Sequence, residues 1–238
     1  MAHDSSPAEQ LRHADEACDV SLDRARVHVR FRRAQRVLSW APYRGGYCEA
    51  HSVAIWQVTN AQLPMGVDPV ALVRTYMQSL DANGVGLLTS RSIDKVEVAC
   101  AQHAGLSARA VVTAGPSNAL RIGDTPGALR TLGTINAVVH VSAPLSLEAS
   151  LECLSLVAEA RTLAVLEAAE PSRRSLQPAT GTGTDCIVVC SPLERDAGIE
   201  TYAGKHTAIG HLLGDVALRA LRAAVQCWCT EHGQRSQR

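Results

Sequence analysis

Six consecutive residues, Thr180 to Asp185, combine hydroxyls, glycines and a carboxylate. They read Thr-Gly-Thr-Gly-Thr-Asp, and the strand-like run from Cys186 to Cys190 follows directly. Glycine lets a backbone approach a ligand closely. Threonine donates and accepts hydrogen bonds, whereas an ionised aspartate only accepts them. Alone, this segment is typical of a polar turn before a strand. Because similar loops occur elsewhere in the chain, four residues of this segment become site candidates: Thr180, Thr182, Thr184 and Asp185.

A second polar segment, Tyr202 to Thr207, precedes the last apolar-periodic stretch and contains Lys205 and His206. Free N–H groups at a helix start favour an anion. The ordinary pKa of histidine lies near neutrality, so His206 is a candidate general acid or base. The alternative is a histidine that only hydrogen-bonds a neighbouring loop. His211 lies about 140° around the helix from it, so the pair shares no metal-binding face.

Two further loops carry asparagines, Asn118 after Thr113-Ala114-Gly115 and Asn136 after Gly133. An asparagine amide can orient a ligand amide or hydroxyl, because it presents both donors and acceptors. Either residue could instead cap its own loop. Loops at strand ends are where α/β proteins commonly bind ligands, so several such loops in one domain predict a shared pocket.

The composition excludes several functional classes. Of 238 residues, 46% are hydrophobic and 19% charged, and 23 basic residues balance 23 acidic ones. A net charge of zero gives no bulk attraction to nucleic acid or anionic lipid. No apolar run reaches the roughly 20 residues of a membrane span, and no signal-peptide core appears. A cytoplasmic location is expected. The eight cysteines form no C-x-x-C pair, so buried free thiols are expected rather than structural zinc.

Hydrophobic periodicity predicts one α/β (α+β-like) domain with a mixed β-sheet flanked by helices, and a site built from Gly/Thr-rich loops. Residues 1–20 are expected to be a flexible tail, 21–232 the domain, and 233–238 a second tail. Predicted strands cover 26–36, 52–60, 84–88, 95–101, 108–114, 133–141 and the residues after Asp185. Predicted helices cover 68–80, 147–169 and 204–230. A hairpin is expected at His103-Ala104-Gly105.

The long central helix is predicted to begin after an N-cap at Ser146. Its expected buried stripe is Leu147, Leu151, Leu154 and Ala158, beside a polar stripe of Glu148, Glu152, Ser155 and Glu159. A stripe of acids usually faces solvent, which is the alternative for any chemical role of Glu159.

Taken in order, several segments resemble the adenosylcobinamide amidohydrolases, the CbiZ family of corrinoid salvage. They are Arg36-Val37-Leu38-Ser39, Gly45-Gly46, Val85 to Thr89, Thr113-Ala114-Gly115, Ser117-Asn118-Ala119, Gly133 to Asn136, Glu159-Ala160-Arg161, Thr180 to Asp185, and Tyr202 to Thr207 with Gly210. The resemblance spans about Arg36 to Ala224. It implies hydrolysis of the amide between the corrin propionate and aminopropanol, giving adenosylcobyric acid. It implies no cofactor, because cobalt arrives inside the corrinoid substrate. The resemblance leaves open whether complete cobamides are also cleaved and whether the protein forms a homo-oligomer.

For such an amide hydrolysis, the expected base is Asp185 or Glu159, with His206 as the acid or the alternative base. Asn136, Thr182, Thr184 and glycine N–H groups would stabilise the oxyanion, and Lys205 would hold a carbonyl or the product carboxylate. A nucleophilic Thr182 or Thr184 is the less favoured alternative. The expected substrate-binding residues are Ser39, Asn118, Asn136, Thr180, Thr182, Thr184 and Lys205.

Two positions depart from the family pattern. Arg161 stands where the pattern has lysine, and arginine keeps the charge but cannot act as a base. Trp40 stands where a small residue is usual. A corrinoid-binding or regulatory module without turnover is therefore the competing class. A nucleotide-phosphate binder is a third class. It would need a basic cluster around the Thr/Gly loop, and Arg173 and Arg174 are nearby in the chain.

Overall fold

The structure, a computed structural model, describes residues 18–23, 25–64, 66–128, 131–193 and 198–233. The strands are β1 (Cys18–Leu22), β2 (Arg26–Ser39), β3 (Gly46–Gln57), β4 (Val85–Thr89), β5 (Glu97–His103), β6 (Leu106–Gly115), β7 (Ala119–Leu120), β8 (Thr134–Val141), β9 (Gly181–Thr182) and β10 (Cys186–Pro192). The helices are α1 (Pro69–Leu80), α2 (Leu147–Glu167) and α3 (Ala208–Gly233). Short 3-10 turns occupy Ile93–Lys95 and Pro116–Asn118.

Eight of these strands form one mixed sheet in the order β4-β3-β2-β10-β8-β6-β5, with β1 paired to β2. The pairs β3–β4 and β8–β10 are parallel, and the others are antiparallel. Adjacent parallel strands need a crossover connection. Here α1 joins β3 to β4 and α2 joins β8 to β10. The prediction of a single α/β domain with a mixed sheet and flanking helices is confirmed.

Apolar side chains pack on both faces of the sheet. On β8 and β10, Val139 and Val189 belong to one cluster, which α2 and α3 cover, while Val138 and Val188 belong to another on the opposite face. Strands buried on both faces are near-continuously apolar. The sheet also curls, because three strands lie between β4 and β8 in the sheet order and yet the Asn136 side-chain amide of β8 donates to the Leu88 carbonyl of β4 at 2.8 Å.

The predicted apolar stripe of α2 is only partly confirmed, since Leu154 and Ala158 pack partly buried against the core but the other two residues do not. Leu147 and Leu151 are 44% and 51% exposed. The side chains that α2 buries are instead Ala149, Ser150, Cys153, Leu156, Val157, Ala160, Ala164 and Val165. Apolar residues surround most of this helix, so spacing alone does not select the buried face. Small residues at Ala149, Cys153 and Ala160 let α2 approach its neighbours closely. The predicted N-cap is confirmed, since the Ser146 hydroxyl accepts a hydrogen bond from the Ala149 N–H at 3.1 Å.

Several element boundaries differ from those predicted. β3 begins at Gly46 rather than Ser52, and α3 begins at Ala208 rather than Gly204. β1 begins at Cys18, so its first three residues lie inside the predicted tail, whereas residues 1–17 and 234–238 lie outside the described residues. The hairpin between β5 and β6 is confirmed. Ala104 and Gly105 have φ of 51° and 78°, which is the type I′ geometry that matches strand twist.

Among the helices described, none has the length and apolar character to cross a membrane. All eight cysteines are in the described part, and all are free thiols.

Candidate functional site

A cavity of about 420 Å³ opens where the carboxyl end of β4 meets the amino ends of β8 and β10. Its lining combines apolar walls with a polar side: Trp40, Pro42, Val58, Leu63, Pro69, Leu87, Leu88, Thr89, Ser90, Leu132, Gly133, Thr134, Asn136, Gly183, Thr184, Asp185 and Cys186. Ligands in open α/β sheets usually bind beyond the carboxyl ends of strands. This cavity meets that rule on β4, whereas β8 and β10 contribute their amino ends.

Asp185 immediately precedes β10, and its side chain is 4% exposed. Its Oδ1 accepts hydrogen bonds from the Ile135 N–H at 3.0 Å and from the Thr182 hydroxyl. Its Oδ2 accepts the Thr182 N–H at 2.8 Å and lies 3.3 Å from Nη1 of Arg161. A buried carboxylate needs such partners. The geometry therefore holds this group in one orientation.

Opposing effects act on the pKa of Asp185. Burial raises this pKa, because desolvation disfavours the charged carboxylate. The Arg161 charge and the hydrogen bonds from Thr182 and Ile135 act in the lowering direction. The net direction is upward, towards the range in which a carboxyl group can exchange protons with a substrate near neutral pH.

The Thr/Gly loop is tied to the start of β8 by hydroxyl contacts. The Thr134 hydroxyl donates to the Thr184 carbonyl at 2.8 Å, and the Thr184 hydroxyl donates to the Gly133 carbonyl at 2.7 Å. The Thr184 N–H in turn donates to the Thr182 hydroxyl oxygen at 3.3 Å. Two of the loops identified in the sequence, at 133–136 and 180–185, thus form one wall of the cavity.

Trp40 and Asn136 border the same cavity. The indole N–H of Trp40 donates to the Asp185 carbonyl at 2.6 Å, although 45% of the residue is exposed. The ring is therefore fixed at one edge and open to solvent elsewhere. Asn136 is buried, and its amide N–H donates to Leu88 as described above. That contact joins the two strands between which the cavity opens.

A second cavity, of about 510 Å³, lies beyond the Thr/Gly loop and shares Gly183 and Thr184 with the first. Its lining is Asn118, Leu120, Arg121, Asp124, Thr125, Pro126, Gly127, Ala128, Thr131, Arg173, Arg174, Gly183 and Thr184. The basic residues near the loop that the sequence showed, Arg173 and Arg174, are therefore joined by Arg121 in one depression. Of the predicted binding residues, Asn118 and Thr184 line it.

The remaining predicted site residues line neither cavity. Glu159 is exposed on α2 and pairs with Lys205 at 2.5 Å, and His206 is exposed beside it in the chain. The structure therefore does not bring Glu159, Lys205 and His206 together with Asp185 around one cavity. Their catalytic and binding roles stay predictions.

Ser39 and Thr180 have hydrogen bonds within the protein. The Ser39 hydroxyl oxygen accepts the Ala41 N–H at 3.3 Å, and the Thr180 hydroxyl oxygen accepts the Ile122 N–H at 2.9 Å. Thr182 lines neither cavity, and its hydroxyl donates to Asp185. These side chains organise the loops around the site, and a direct substrate contact by any of them stays a prediction.

Arg161 and Thr134 are site residues that the sequence analysis did not identify as such. Arg161 was noted only as a departure from a family pattern, because its place two positions after Glu159 on a helix does not reveal a contact with a distant loop. Thr134 lies in the Gly133 to Asn136 loop identified in the sequence, but nothing in the sequence singles out its hydroxyl, which contacts Thr184. A buried carboxylate such as Asp185 needs a cationic partner, but residue spacing does not show which arginine of the chain supplies it.

Within the described ranges, no group of three or more His, Cys, Asp or Glu side chains is placed to hold a metal ion.

Comparison with known proteins identifies the family. A family model described as adenosylcobinamide amidohydrolase, CbiZ, matches residues 9–233, nearly the whole chain. Among solved structures, one titled as the crystal structure of the PH0078 protein from Pyrococcus horikoshii OT3 is similar, with a TM-score of 0.44 and 13% sequence identity. That match covers 89% of this chain and 79% of the other. No curated protein matches the chain.

Proposed function

Because the chain belongs to the adenosylcobinamide amidohydrolase family, we propose that it hydrolyses the amide between the corrin propionate and aminopropanol of adenosylcobinamide. The products are adenosylcobyric acid and free aminopropanol. The family description gives the reaction class, amide hydrolysis, and a corrinoid as the substrate class. The bond and the products are the proposal.

The observation that carries the proposal is the buried, oriented carboxylate of Asp185 at a cavity with apolar walls. Amide hydrolysis needs a base for the attacking water, and a base works best when its pKa lies near the working pH. Burial raises the pKa of Asp185 in that direction. Arg161 and the N–H groups of Thr182 and Ile135 keep the carboxylate in place as protons move.

Oδ2 of Asp185 is the atom best suited to take a proton. It accepts one backbone hydrogen bond at 2.8 Å, and its contact with Arg161 is longer, at 3.3 Å. A carboxylate oxygen can accept more than one hydrogen bond, so Oδ2 retains capacity for a water. Asp185 removes a proton as that water attacks the amide carbon. The same proton is then delivered to the amine as the C–N bond breaks.

The polar groups beside Asp185 have supporting roles in this scheme. Thr184 and Asn136 line the cavity next to the carboxylate. The second side-chain N–H of Asn136 stabilises the developing oxyanion, whereas the Thr184 hydroxyl, which donates to Gly133, accepts a hydrogen bond from the substrate. The exposed Trp40 ring offers a flat apolar surface to the corrin. The cavity of about 420 Å³ admits part of a corrinoid, so the rest of the macrocycle lies across its mouth. Cobalt belongs to the substrate, and the proposed reaction uses no resident metal or cofactor.

The deciding experiment incubates purified protein with adenosylcobinamide, with and without EDTA, and measures adenosylcobyric acid and aminopropanol by mass spectrometry. Equal product formation under both conditions supports metal-independent hydrolysis. The variants Asp185→Asn and Arg161→Ala separate the roles of the carboxylate and its partner. Removal of the base is expected to lower kcat by about 100-fold or more.

Asp215→Asn is the matched control, because Asp215 is exposed on α3 and its one described ion pair is with Arg219. It should retain full turnover. Wild-type turnover by Asp185→Asn would remove Asp185 as the base and return attention to Glu159 and His206. A change in the corrinoid spectrum on binding, without product, would instead indicate a binding module.

A further inference from the structure

The second cavity contains a buried amide without a partner. Asn118 is 5% exposed, and within the part of the chain that the structure describes neither its Oδ1 nor its Nδ2 has a hydrogen-bond partner. An unpaired buried polar group costs free energy comparable to a lost hydrogen bond. Asn118 ends a 3-10 turn and lines this cavity. A ligand that supplies both an acceptor and a donor would satisfy it.

Basic side chains dominate the charge of the same cavity. Arg121, Arg173 and Arg174 line it, against the single carboxylate of Asp124 among the described lining residues. The Ser172 hydroxyl and the Arg121 N–H donate to Asp124, and hydrogen bonding lowers the pKa of its carboxyl group, so this residue stays ionised. Three guanidiniums therefore face one negative charge.

The arginine side chains are held by the surrounding loops. Arg121 donates to the Pro178 carbonyl at 2.7 Å, and Arg174 donates to the Ala128 carbonyl at 3.2 Å. Gly127 makes room for Arg174, because a Cβ at that position would lie 1.8 Å from its Nη2. Arg173 is partly neutralised by Glu170 at 2.6 Å. Arg121 and Arg174 have no described salt bridge, although the Arg121 charge helps to lower the pKa of Asp124.

The second cavity adjoins the site around Asp185 across the Thr/Gly loop. Gly183 and Thr184 line both cavities. Asn118 lies at the junction, since a Cβ on Gly133 would approach its Oδ1 to 2.6 Å and a Cβ on Gly183 would lie 3.8 Å from its Nδ2. Both glycines line the first cavity. A substrate arm that crosses Gly183 from an amide beside Asp185 would therefore pass Asn118.

We propose that the second cavity is an anion subsite on the leaving-group side of the amide, and that it binds a phosphate ester carried on the hydroxyl of the amino alcohol. The assignment rests on the proposed amide hydrolysis. Guanidinium forks match phosphate oxygens in geometry and charge. Asn118 donates its N–H to the ester arm and accepts the N–H of the substrate amide, which satisfies both of its unpaired atoms.

A binding measurement tests the subsite without reference to turnover. Isothermal titration calorimetry compares 1-aminopropan-2-yl phosphate with 1-amino-2-propanol on the wild-type protein. The phosphate compound should bind, with an affinity that falls as salt rises, and the alcohol should bind at least about tenfold more weakly. The double variant Arg121→Gln/Arg174→Gln should lose that difference. The double variant Arg219→Gln/Arg222→Gln, at two exposed arginines of α3, is the charge-matched control and should keep it.

A kinetic comparison then distinguishes the sources of the phosphate. Adenosylcobinamide is compared with the same corrinoid carrying a phosphate monoester on the aminopropanol, and with a complete cobamide in which that phosphate is a diester. The preferred compound identifies the source, and the double variant should lower the ratio of its kcat/KM to that of adenosylcobinamide by about tenfold or more.

Different results would overturn the two proposals. Equal binding of the phosphate and the alcohol, or a preference unchanged in the double variant, would overturn the anion subsite even if adenosylcobinamide is hydrolysed. Absence of hydrolysis of every corrinoid would overturn the proposed function, whatever the calorimetry gives.

Discussion

Among single residues, Arg161 is a departure from the family pattern that its contacts explain. The family resemblance has a lysine at this position, which leaves open whether its amine does chemistry. In this chain the guanidinium lies 3.3 Å from Oδ2 of Asp185. Arginine cannot serve as a base, but it pairs well with a carboxylate. Arginine at this position therefore keeps the positive charge that faces Asp185.

Gly181 permits this arrangement and provides a test of it. A Cβ at Gly181 would lie 2.4 Å from Oδ2 of Asp185 and 3.3 Å from Nε of Arg161. Gly181→Ala should displace the carboxylate and lower kcat for adenosylcobinamide hydrolysis by about 100-fold, the cost of a misplacement of about 1 Å. Steady-state kinetics of the purified variant measure the effect.

Gly214→Ala is the matched control, because a Cβ at Gly214 in α3 meets no atom within 4 Å. It should keep wild-type turnover and gain stability by about 1 kcal/mol, as alanine replaces glycine in a helix. Unchanged kcat in Gly181→Ala would show that the position of Asp185 does not limit the reaction.

At the scale of elements, the β8–α2–β10 unit positions the site. The parallel strands start side by side, with Asn136 paired to Cys186, so the loops before them meet. The helix returns the chain towards that edge, and its Arg161 side chain reaches the residue before β10. Asp185, its cation and the Gly133 to Asn136 segment thus come from successive parts of one supersecondary unit.

The N-cap of α2 tests the stability of this unit. Ser146→Ala removes the acceptor of the Ala149 N–H and should lower the free energy of unfolding by about 1 kcal/mol. Urea denaturation followed by circular dichroism gives the value. Ser155→Ala, an exposed serine within the same helix, should instead be neutral or slightly stabilising. Equal destabilisation by both changes would contradict the assignment of the cap.

At the scale of the whole molecule, α3 closes one face of the sheet and is held at its end by an ion pair. Nη1 of the buried Arg91 lies 2.6 Å from Oε2 of Glu231, and Lys95 lies 3.6 Å from the other oxygen. Arg91 follows β4, so the pair connects the end of the chain's last helix to the strand that borders the first cavity. This contact links two regions far apart in sequence.

The Glu231 contact predicts a pH dependence of stability. The hydrogen bond from Arg91 is the main cause that lowers the pKa of Glu231 from 4.5 to about 2. A lowered pKa in the folded state contributes stability above pH 4.5, which is lost as the pH falls towards about 2. Thermal unfolding of wild type and Glu231→Gln should therefore give different Tm values at pH 7 that converge near pH 2.

The comparison with Glu231→Gln isolates this carboxyl group from the others that titrate in acid. Glu97→Gln is the control, because burial raises rather than lowers the pKa of Glu97. At pH 7 Glu97→Gln should be at least as stable as wild type, because ionising the half-buried Glu97 carboxyl costs stability. That difference disappears as the pH falls to about 4.5 and stays constant from there to pH 2. A constant Tm difference between wild type and Glu231→Gln from pH 7 to pH 2 would refute the role of the ion pair.

The fold class, most elements, the Ser146 cap, the hairpin turn and the family could all be predicted from the sequence. These depend on local patterns: apolar periodicity, a hydroxyl before a helix, and glycine where φ is positive. It also identified the Thr/Gly loop and Asn136, because small polar residues at strand ends are visible in one dimension. The buried face of α2 was not determined in this way, since its apolar residues nearly encircle the helix.

Which of these residues meet depends on the folded arrangement of the sheet and helices. Curling of the sheet brings Leu88 to Asn136, and packing of α2 brings Arg161 to Asp185 while Glu159 pairs with Lys205 at the surface. The structure also gathered Arg121, Arg173 and Arg174 around the unpaired Asn118. Contacts between residues distant in the chain depend on which faces are buried together. That choice is made by the packing of the whole core and not by the spacing within one segment.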